Sequence, residues 1–524
     1  MKNKFLHAEG TKIVNGDGQE VLLKGWGMGN WLLPEGYMWL SSNEKFDRPS
    51  RIRKVIEELT GKEYAEKFWQ SYRENYVNRN DILRLSELGY NSVRIPLHYE
   101  LFLSDEQRIQ WKEEGFKLLD RCLEWCEEAG IYAFLDLHAA PGGQTGHNID
   151  DSADDIPHLF MENEYQEKCI ALWVKLAERY RDREIVGGFD LLNEPIAPPR
   201  VQDFDYLIPE LSGFYERLVK AIREVDAYHM LSIEGAHWAT DTRIFRCKYD
   251  DNMVLHFHRY AVMPDTRCLQ EYIDVAKHLN VPLWLGESGE NLDEWYTAIY
   301  PLAESLGIGY NLWTWKKMSC TNSPYSIKKP AEYDKVIEYV QHGIHPGEEK
   351  AREIFDEYLE NCKIENCVEN LSVTNHVMRK IPFGMRATDF DEIPGRGSSF
   401  LGTGQLISEN YRGNTGMRIV ELREEQEKRF YFDCCWDRFG LLLHQGEFAC
   451  YRVNADKDFI LEVSVRGGEN GRLEIGWKND KMQEIQIKPE DTLFKVKLAA
   501  GKGSIKICGG SGEICLEHLS FSYE

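Results

Sequence analysis

The chain has 524 residues, 42% hydrophobic and 29% charged, the balance of an ordinary globular protein with room for two domains or three. A core of that size needs neither disulfides nor metals to hold it together. The formal charge of −24, from 63 basic and 87 acidic residues, repels phosphate backbones and anionic lipid surfaces, so nucleic acid is set aside as a partner and a neutral one is favoured.

No apolar run of signal-peptide length follows the opening MKNKFLHAEG, and no later stretch approaches the ~18 apolar residues of a membrane helix. The cysteines number 13, an odd count, and Cys122, Cys126 and Cys169 sit inside helical patterns. Reduced thiols and a cytoplasmic location are therefore expected.

The first predicted strand is Val21–Lys24, and a helical period runs through Phe68–Leu88. Ser92–Ile95 reads as a second strand, followed by a helix over Trp111–Ala129, where Leu119, Cys122, Leu123 and Cys126 recur on one face. Tyr132–Asp136, a helix over Glu164–Tyr180, and then Gly188–Leu192, Leu231–Glu234, Met253–His258, Leu283–Gly286 and Gly309–Leu312 complete the series. Strands alternating with helices in this way predict an α/β fold, a (β/α)8 TIM barrel over residues 1–345. An open doubly wound sheet is the alternative, but no G-x-G-x-x-G follows the first strand. A polar helix, Glu348–Glu360, and a connector fill 346–380. From Ile381 onward the period changes to strict alternation, as in Arg472–Trp477, Glu484–Ile487, Leu493–Leu498, Ser504–Cys508 and Ile514–Tyr523. Residues 381–524 are thus expected to form a C-terminal antiparallel β-sandwich, either carbohydrate-binding or structural. Its Trp436, Tyr451 and Trp477 suit stacking on sugar rings or packing in the core.

Barrel chemistry lies where strands end at the C-terminal face. Arg94 closes the second strand and His138 the third; Asn193-Glu194-Pro195 follows the fourth. His256-Phe257-His258-Arg259-Tyr260 closes the sixth, Gly286-Glu287 the seventh, and Trp313-Thr314-Trp315 the eighth. Glu194 and Glu287 each terminate an apolar strand. Cleavage of a glycosidic bond asks for one carboxylic acid to protonate the leaving oxygen and one carboxylate to attack the anomeric carbon. Retention of configuration places them ~5–5.5 Å apart. Arg94 would keep one carboxylate ionised, and Asn193 would meet a sugar 2-OH. Taken singly, each residue has a structural alternative: a strand-end Glu as a loop cap, His138 or His258 as a satisfied buried histidine, Arg94 as partner of Asp136 or Asp190, the two Trp as core. No C-x-x-C, H-E-x-x-H, Walker loop or G-x-S-x-G occurs, so neither a metal nor a cofactor is expected.

Over residues 10 to 345 the sequence closely resembles glycoside hydrolase family 5. The opening Val21-Leu22-Leu23-Lys24-Gly25-Trp26-Gly27-Met28-Gly29-Asn30-Trp31, the Asn193-Glu194-Pro195 triplet and Gly286-Glu287 carry the likeness, with Arg94, His258-x-Tyr260 and Trp315 in strand order. The resemblance implies a retaining β-glycoside hydrolase working by double displacement, with Glu194 as acid/base and Glu287 as nucleophile. Arg94 and His138 would position these carboxylates, and Asn193 would bind the 2-OH. His258 and Tyr260 would hold the sugar and contact Glu287, with Trp315 as stacking floor. His256 competes for the histidine role, but its spacing to Tyr260 is wrong. Gly29–Glu35, Asp136–Gln144 and Phe68-Trp69 resemble the exo-β-1,3-glucanase branch, which attacks chain ends in a closed pocket. Glu287-Ser288-Gly289-Glu290 stands where that branch has Glu-Trp-Ser, so the implied substrates extend to other β-glucans and β-glucosides. Gly384–Asp391 resembles the first strand of β-sandwich carbohydrate-binding modules. A transglycosylase sharing the same intermediate and a non-catalytic carbohydrate-binding protein are the alternatives; a pure binder has no need of both glutamates.

Overall fold

The structure, a computed structural model, describes residues 4–104, 108–466 and 470–524. Two compact units emerge from its contacts. The first comprises the chain up to Arg259 with Tyr272–Ser288 and Gly309–Glu369; the second comprises Tyr260–Glu271, Gly289–Ile308 and Asn370–Glu524.

In the first unit eight parallel strands close into a barrel: β1 Lys24–Gly27, β2 Ser92–His98, β3 Tyr132–Ala139, β4 Val186–Asp190, β5 Met230–Glu234, β6 Met253–Arg259, β7 Leu283–Ser288 and β8 Gly309–Leu312. Closure is by β8 against β1, with Tyr310, Asn311 and Leu312 opposite Lys24, Gly25 and Trp26. β2, β4, β5 and β7 are buried throughout, which is why they read as nearly continuous apolar runs. β1 starts where the apolar stretch Val21-Leu22-Leu23 ends, because this side of the barrel needs glycine. A Cβ on Gly25 would fall 2.2 Å from the Ser92 carbonyl of β2, and one on Gly27 would fall 2.6 Å from the Trp313 ring.

The helical period through Phe68–Leu88 is not one helix. α1 spans Pro49–Thr60, α2 Lys62–Tyr76 and α3 Arg79–Glu87. The break falls at Val77-Asn78, where Asn78 opens α3 with a capping box: its Oδ1 accepts from Asn80 N–H at 2.8 Å, and Asp81 accepts from Asn78 N–H at 2.9 Å. α4, Glu113–Ala129, buries Leu119, Cys122, Leu123 and Cys126 as its spacing predicts, and stops at Gly130 with φ 67. α5 is Asn163–Tyr180 and α6 Ile208–Arg223. Among the described residues no helix is long and apolar enough to cross a membrane.

The second unit is built on two antiparallel sheets. One orders strands 418–421, 439–443, 514–523, 459–466 and 493–498, with 383–386 also on 514–523; the other orders 400–401, 448–455, 501–511, 471–477 and 483–487. Alternate residues point inward, so Phe459, Leu461 and Val463 are fully buried while Ile460, Glu462 and Ser464 are not. Trp436 and Tyr451 belong to this core and present no face to a sugar. The Trp436 indole donates to Asp389 Oδ2 at 3.0 Å and the Tyr451 hydroxyl to the Ala387 carbonyl at 2.7 Å. Trp477 is half-buried, its indole donating to the Ala499 carbonyl. A helix that precedes β8 in sequence, Asp293–Ser305, also lies in this unit: Glu294 Oε1 is 2.8 Å from His518 Nε2, and Arg452 donates to Ser305 Oγ at 2.5 Å.

Candidate active site

The site is built around one buried guanidinium. Arg94, on β2, is fully buried and reaches the ends of four other strands. Its Nε donates to Asp190 Oδ2 at 2.7 Å, Nη1 to Glu287 Oε2 at 2.6 Å, and Nη2 to Asn193 Oδ1 at 2.8 Å and Glu234 Oε1 at 3.1 Å. Asp136 Oδ1 lies 3.2 Å from the same Nη2. Burial opposes the charge on Arg94, but four carboxylates outweigh it and hold its pKa well above the usual value. One cation does not offset so many carboxylates, and the crowding shows at Asp136. Burial and the charges of Asp190 and Glu234 push its carboxyl well up, against Arg94.

On the β3 side, His138 Nδ1 meets Asp136 Oδ2 at 2.8 Å and its Nε2 lies 3.1 Å from Asn193 Nδ2. Asn193 Oδ1 already accepts from Arg94, so its amide nitrogen is the donor and His138 Nε2 the acceptor; the histidine proton then sits on Nδ1. Burial and the nearby guanidinium lower the His138 pKa to about 4, in keeping with a neutral ring. Gln144 secures the two strand ends, donating to the carbonyls of His138 and Asn193 at 2.8 and 2.9 Å.

After β4 the chain turns through left-handed residues, Glu194 at φ 47 and Ile196 at φ 56. After β5 it does so again, at His237, Trp238 and Ala239 with φ 56–57, and His237 N–H is tied to the Ile196 carbonyl at 2.7 Å. Three successive non-glycine residues in this region are rare and strained, and such strain gathers at functional sites. Here one residue of the left-handed region is Glu194 itself. His258 Nδ1 lies 2.7 Å from Glu194 Oε1 and 3.9 Å from Glu287 Oε1. One carboxylate oxygen of Glu194, one of Glu287 and a nitrogen of His258 all lie within 4.8 Å of one another. Burial lifts the Glu287 pKa and the Glu194 charge adds to it, while His258 and Arg94 pull it down; the net direction is upward. For His258, burial disfavours the charged ring, but Glu234 and Glu287 prevail and raise its pKa well above the ordinary range.

Of the residues picked out from sequence, Arg94, His138, Asn193, Glu194, His258 and Glu287 therefore meet in one cluster. Trp315 does not join it. β8 ends at Leu312, and beyond that point the two indoles diverge. Trp315 is buried with its Nε1 donating to Asp81 Oδ1 of α3 at 2.9 Å, beside Lys316 Nζ at 2.7 Å from the same oxygen. Trp313 is the ring at the site, stacked on His138 at 5.3 Å and 7°, its Nε1 donating to the Tyr37 hydroxyl at 2.9 Å. Tyr260 belongs to the second unit, where its ring stacks on Phe432 at 4.4 Å. Sequence reasoning named Asp190 only as a structural partner of Arg94 and Trp313 only beside Trp315, and it passed over Glu234. Glu234 carried a usable signal, since it ends an apolar strand just as Glu287 does.

A family model described as Cellulase (glycosyl hydrolase family 5) matches residues 55–319, half of the chain, and spans every residue of this cluster. The chain belongs to glycosyl hydrolase family 5. This family 5 chain is similar to a beta-xylosidase of Phanerodontia chrysosporium, 33% identical over 271 residues, 51% of this chain and 54% of that protein. It is similar also to endoglucanase C of Acetivibrio thermocellus, at 32% over 195 residues, 37% of this chain and 53% of the other. A glucan 1,3-beta-glucosidase of Lachancea kluyveri is 27% identical over 335 residues, covering 59% and 72%. The chain spans about half the length of the first two relatives.

Proposed function

We propose that this family 5 protein is a retaining β-glycoside hydrolase acting on β-glucans or β-glucosides. One observation carries the reading: the oxygens of Glu194 and Glu287 approach within 4.8 Å at the ends of β4 and β7. That separation suits a carboxylate attacking the anomeric carbon directly and leaves too little room for an intervening water, which inversion would need at about 6.5–9.5 Å. The names of the relatives, two of which act on glucans, support the substrate class.

In the first step Glu287 attacks C1 while Glu194 gives its proton to the departing glycosidic oxygen; the C1–O bond breaks and an ester to Glu287 forms. In the second step Glu194, now a carboxylate, takes a proton from water, whose oxygen displaces Glu287 and releases the sugar with its configuration kept. Arg94 grips Glu287 Oε2, which assigns the attack to Oε1, and keeps the leaving carboxylate stable in the second step. Asn193, fixed between Arg94 and His138, would receive the 2-OH, and Trp313 beside His138 would floor the sugar.

The test pairs two variants on two substrates. E287A should lose hydrolysis of every β-glycoside. E194Q should lose about 10²–10⁴-fold on alkyl β-glucosides yet much less on a dinitrophenyl β-glucoside, whose leaving group needs no proton. Undiminished turnover by E287A would remove the mechanism. Product analysis over β-1,3, β-1,4 and β-1,6 glucans and a β-xyloside assigns the linkage, and separates hydrolysis from transfer to a second sugar.

A further inference from the structure

Glu234 takes no part in the two-step displacement, yet it is fully buried and touches each group that sets the state of Glu194. Its Oε2 accepts the main-chain N–H of Glu194 at 2.7 Å, at the residue held in the left-handed region. Its Oε1 lies 3.1 Å from Arg94 Nη2, 3.4 Å from His256 Nδ1 and 3.5 Å from His258 Nε2.

The ring nitrogens fix where the protons sit. His258 Nε2 and His256 Nε2 are 3.0 Å apart, a contact that requires one proton between them. His256 Nδ1 faces Asp190 Oδ1 at 3.1 Å and Ser232 Oγ at 2.9 Å, so it is the donor nitrogen of that ring. The shared proton is given to His258, which three carboxyl groups face against two at His256, and His256 Nε2 accepts it. His258 Nδ1 also faces Glu194 Oε1, which accepts when the acid's own proton sits on its other oxygen, so the His258 ring carries both protons and is an imidazolium. The groups facing it are Glu194 from the end of β4, Glu234 of β5, His256 on its own strand and Glu287 of β7, with Arg94 behind Glu287. Burial alone would drive its proton off, and Glu234 is the first of the charges that keep it. Gly286 makes room for the pair, since a Cβ there would lie 2.0 Å from His256 Nε2.

We propose that Glu234 is a positioning residue for the acid/base: it anchors the Glu194 backbone and sustains an imidazolium at His258 that donates to Glu194 Oε1. The inference rests on the acid/base role given to Glu194 above. An imidazolium bonded to Glu194 stabilises the carboxylate left when the proton departs, which eases delivery to poor leaving groups.

The experiment uses E234Q, which keeps the size and one acceptor while removing the charge, with E234D restoring the charge. For E234Q, kcat/KM on an alkyl β-glucoside should fall about 10²-fold, and on a dinitrophenyl β-glucoside by about fivefold or less. The high-pH limb of the alkyl-glucoside profile should move down by about one unit, because an imidazolium deprived of Glu234 loses its proton earlier as pH rises. Nitrogen-15 NMR of the histidine side chains should show His258 as imidazolium in the parent at pH 7 and should show it losing that proton about one pH unit earlier in E234Q, with E234D in between. An equal loss on both substrates with the profile and the NMR signal unchanged would overturn the proposal and leave Glu234 a packing residue. If E234Q does not fold, the parent carries the test: a neutral His258 in its nitrogen-15 spectrum at pH 7 overturns the proposal. E194Q run alongside separates the two ideas: without a leaving-group split in E194Q the acid/base assignment falls, whereas a split in E194Q but not in E234Q removes only the role of Glu234.

Discussion

At Glu287 burial and the Glu194 charge favour the neutral carboxyl, while His258 and Arg94 favour the ionised one, and the first pair prevails. As the proposed nucleophile, Glu287 must be ionised, so activity should be lost as pH falls through its pKa, and a raised pKa moves that loss upward. The acid limb of kcat/KM on a dinitrophenyl glucoside should therefore lie above the ~4.3 of an ordinary glutamate. In E194Q, with the neighbouring charge gone, the same limb should move to lower pH. The two tryptophans divide differently. W313A should cost roughly tenfold in kcat/KM, the worth of one aromatic contact, besides about 3–5 kcal/mol of stability for the loss of a buried ring. W315F should spare kcat/KM and cost about 1–3 kcal/mol in urea unfolding, because buried Asp81 loses the indole donor. The strand-end groups Arg94, His138, Asn193, Glu194, His258 and Glu287 were legible in the sequence, each being a polar residue that interrupts an apolar run. The resemblance pointed to Trp315 rather than Trp313, and the pattern offered no check on that choice, since both lie past the last residue of β8, where alternation no longer says which way a ring faces.

Among the elements, α2 and α3 show what periodicity leaves out. Apolar residues continue in phase from Phe68 to Leu88, yet the chain stops at Tyr76 and restarts at Arg79, because Asn78 and Asp81 satisfy each other's backbone donors. N78A should lower stability by about 1 kcal/mol, read as a drop in the urea midpoint with activity intact. β1 was displaced for a related reason. Its apolar residues precede the strand, and the strand itself is Lys-Gly-Trp-Gly, suited to the close approach of Ser92 and Trp313 rather than to strand propensity. The left-handed turns after β4 and β5 had no sequence mark, since no glycine stands at Glu194, Ile196, His237 or Trp238.

For the whole molecule, the alternation of strands and helices announced the barrel, and the later two-residue period announced the sheets. The allotment of Asp293–Ser305 to the second unit was not visible, because the pairing of Glu294 with His518 spans 224 positions and leaves no local trace. The charge of −24 has a measurable effect at this scale. Turnover of a neutral glucan should be nearly indifferent to salt between 10 and 200 mM, while that of a carboxymethylated glucan should rise as its repulsion is screened. The bent backbone at Glu194 bears on the history of such a chain. A side chain there sits where glycine or asparagine would rest more easily, so the proposed acid/base is held against a standing conformational bias. E194G and E194A both give up the bond to His258, but E194G should be the more stable of the two by about 1 kcal/mol in urea unfolding, because only glycine relaxes the backbone. A descendant that had already lost this carboxyl group would be steadied by glycine at the same position.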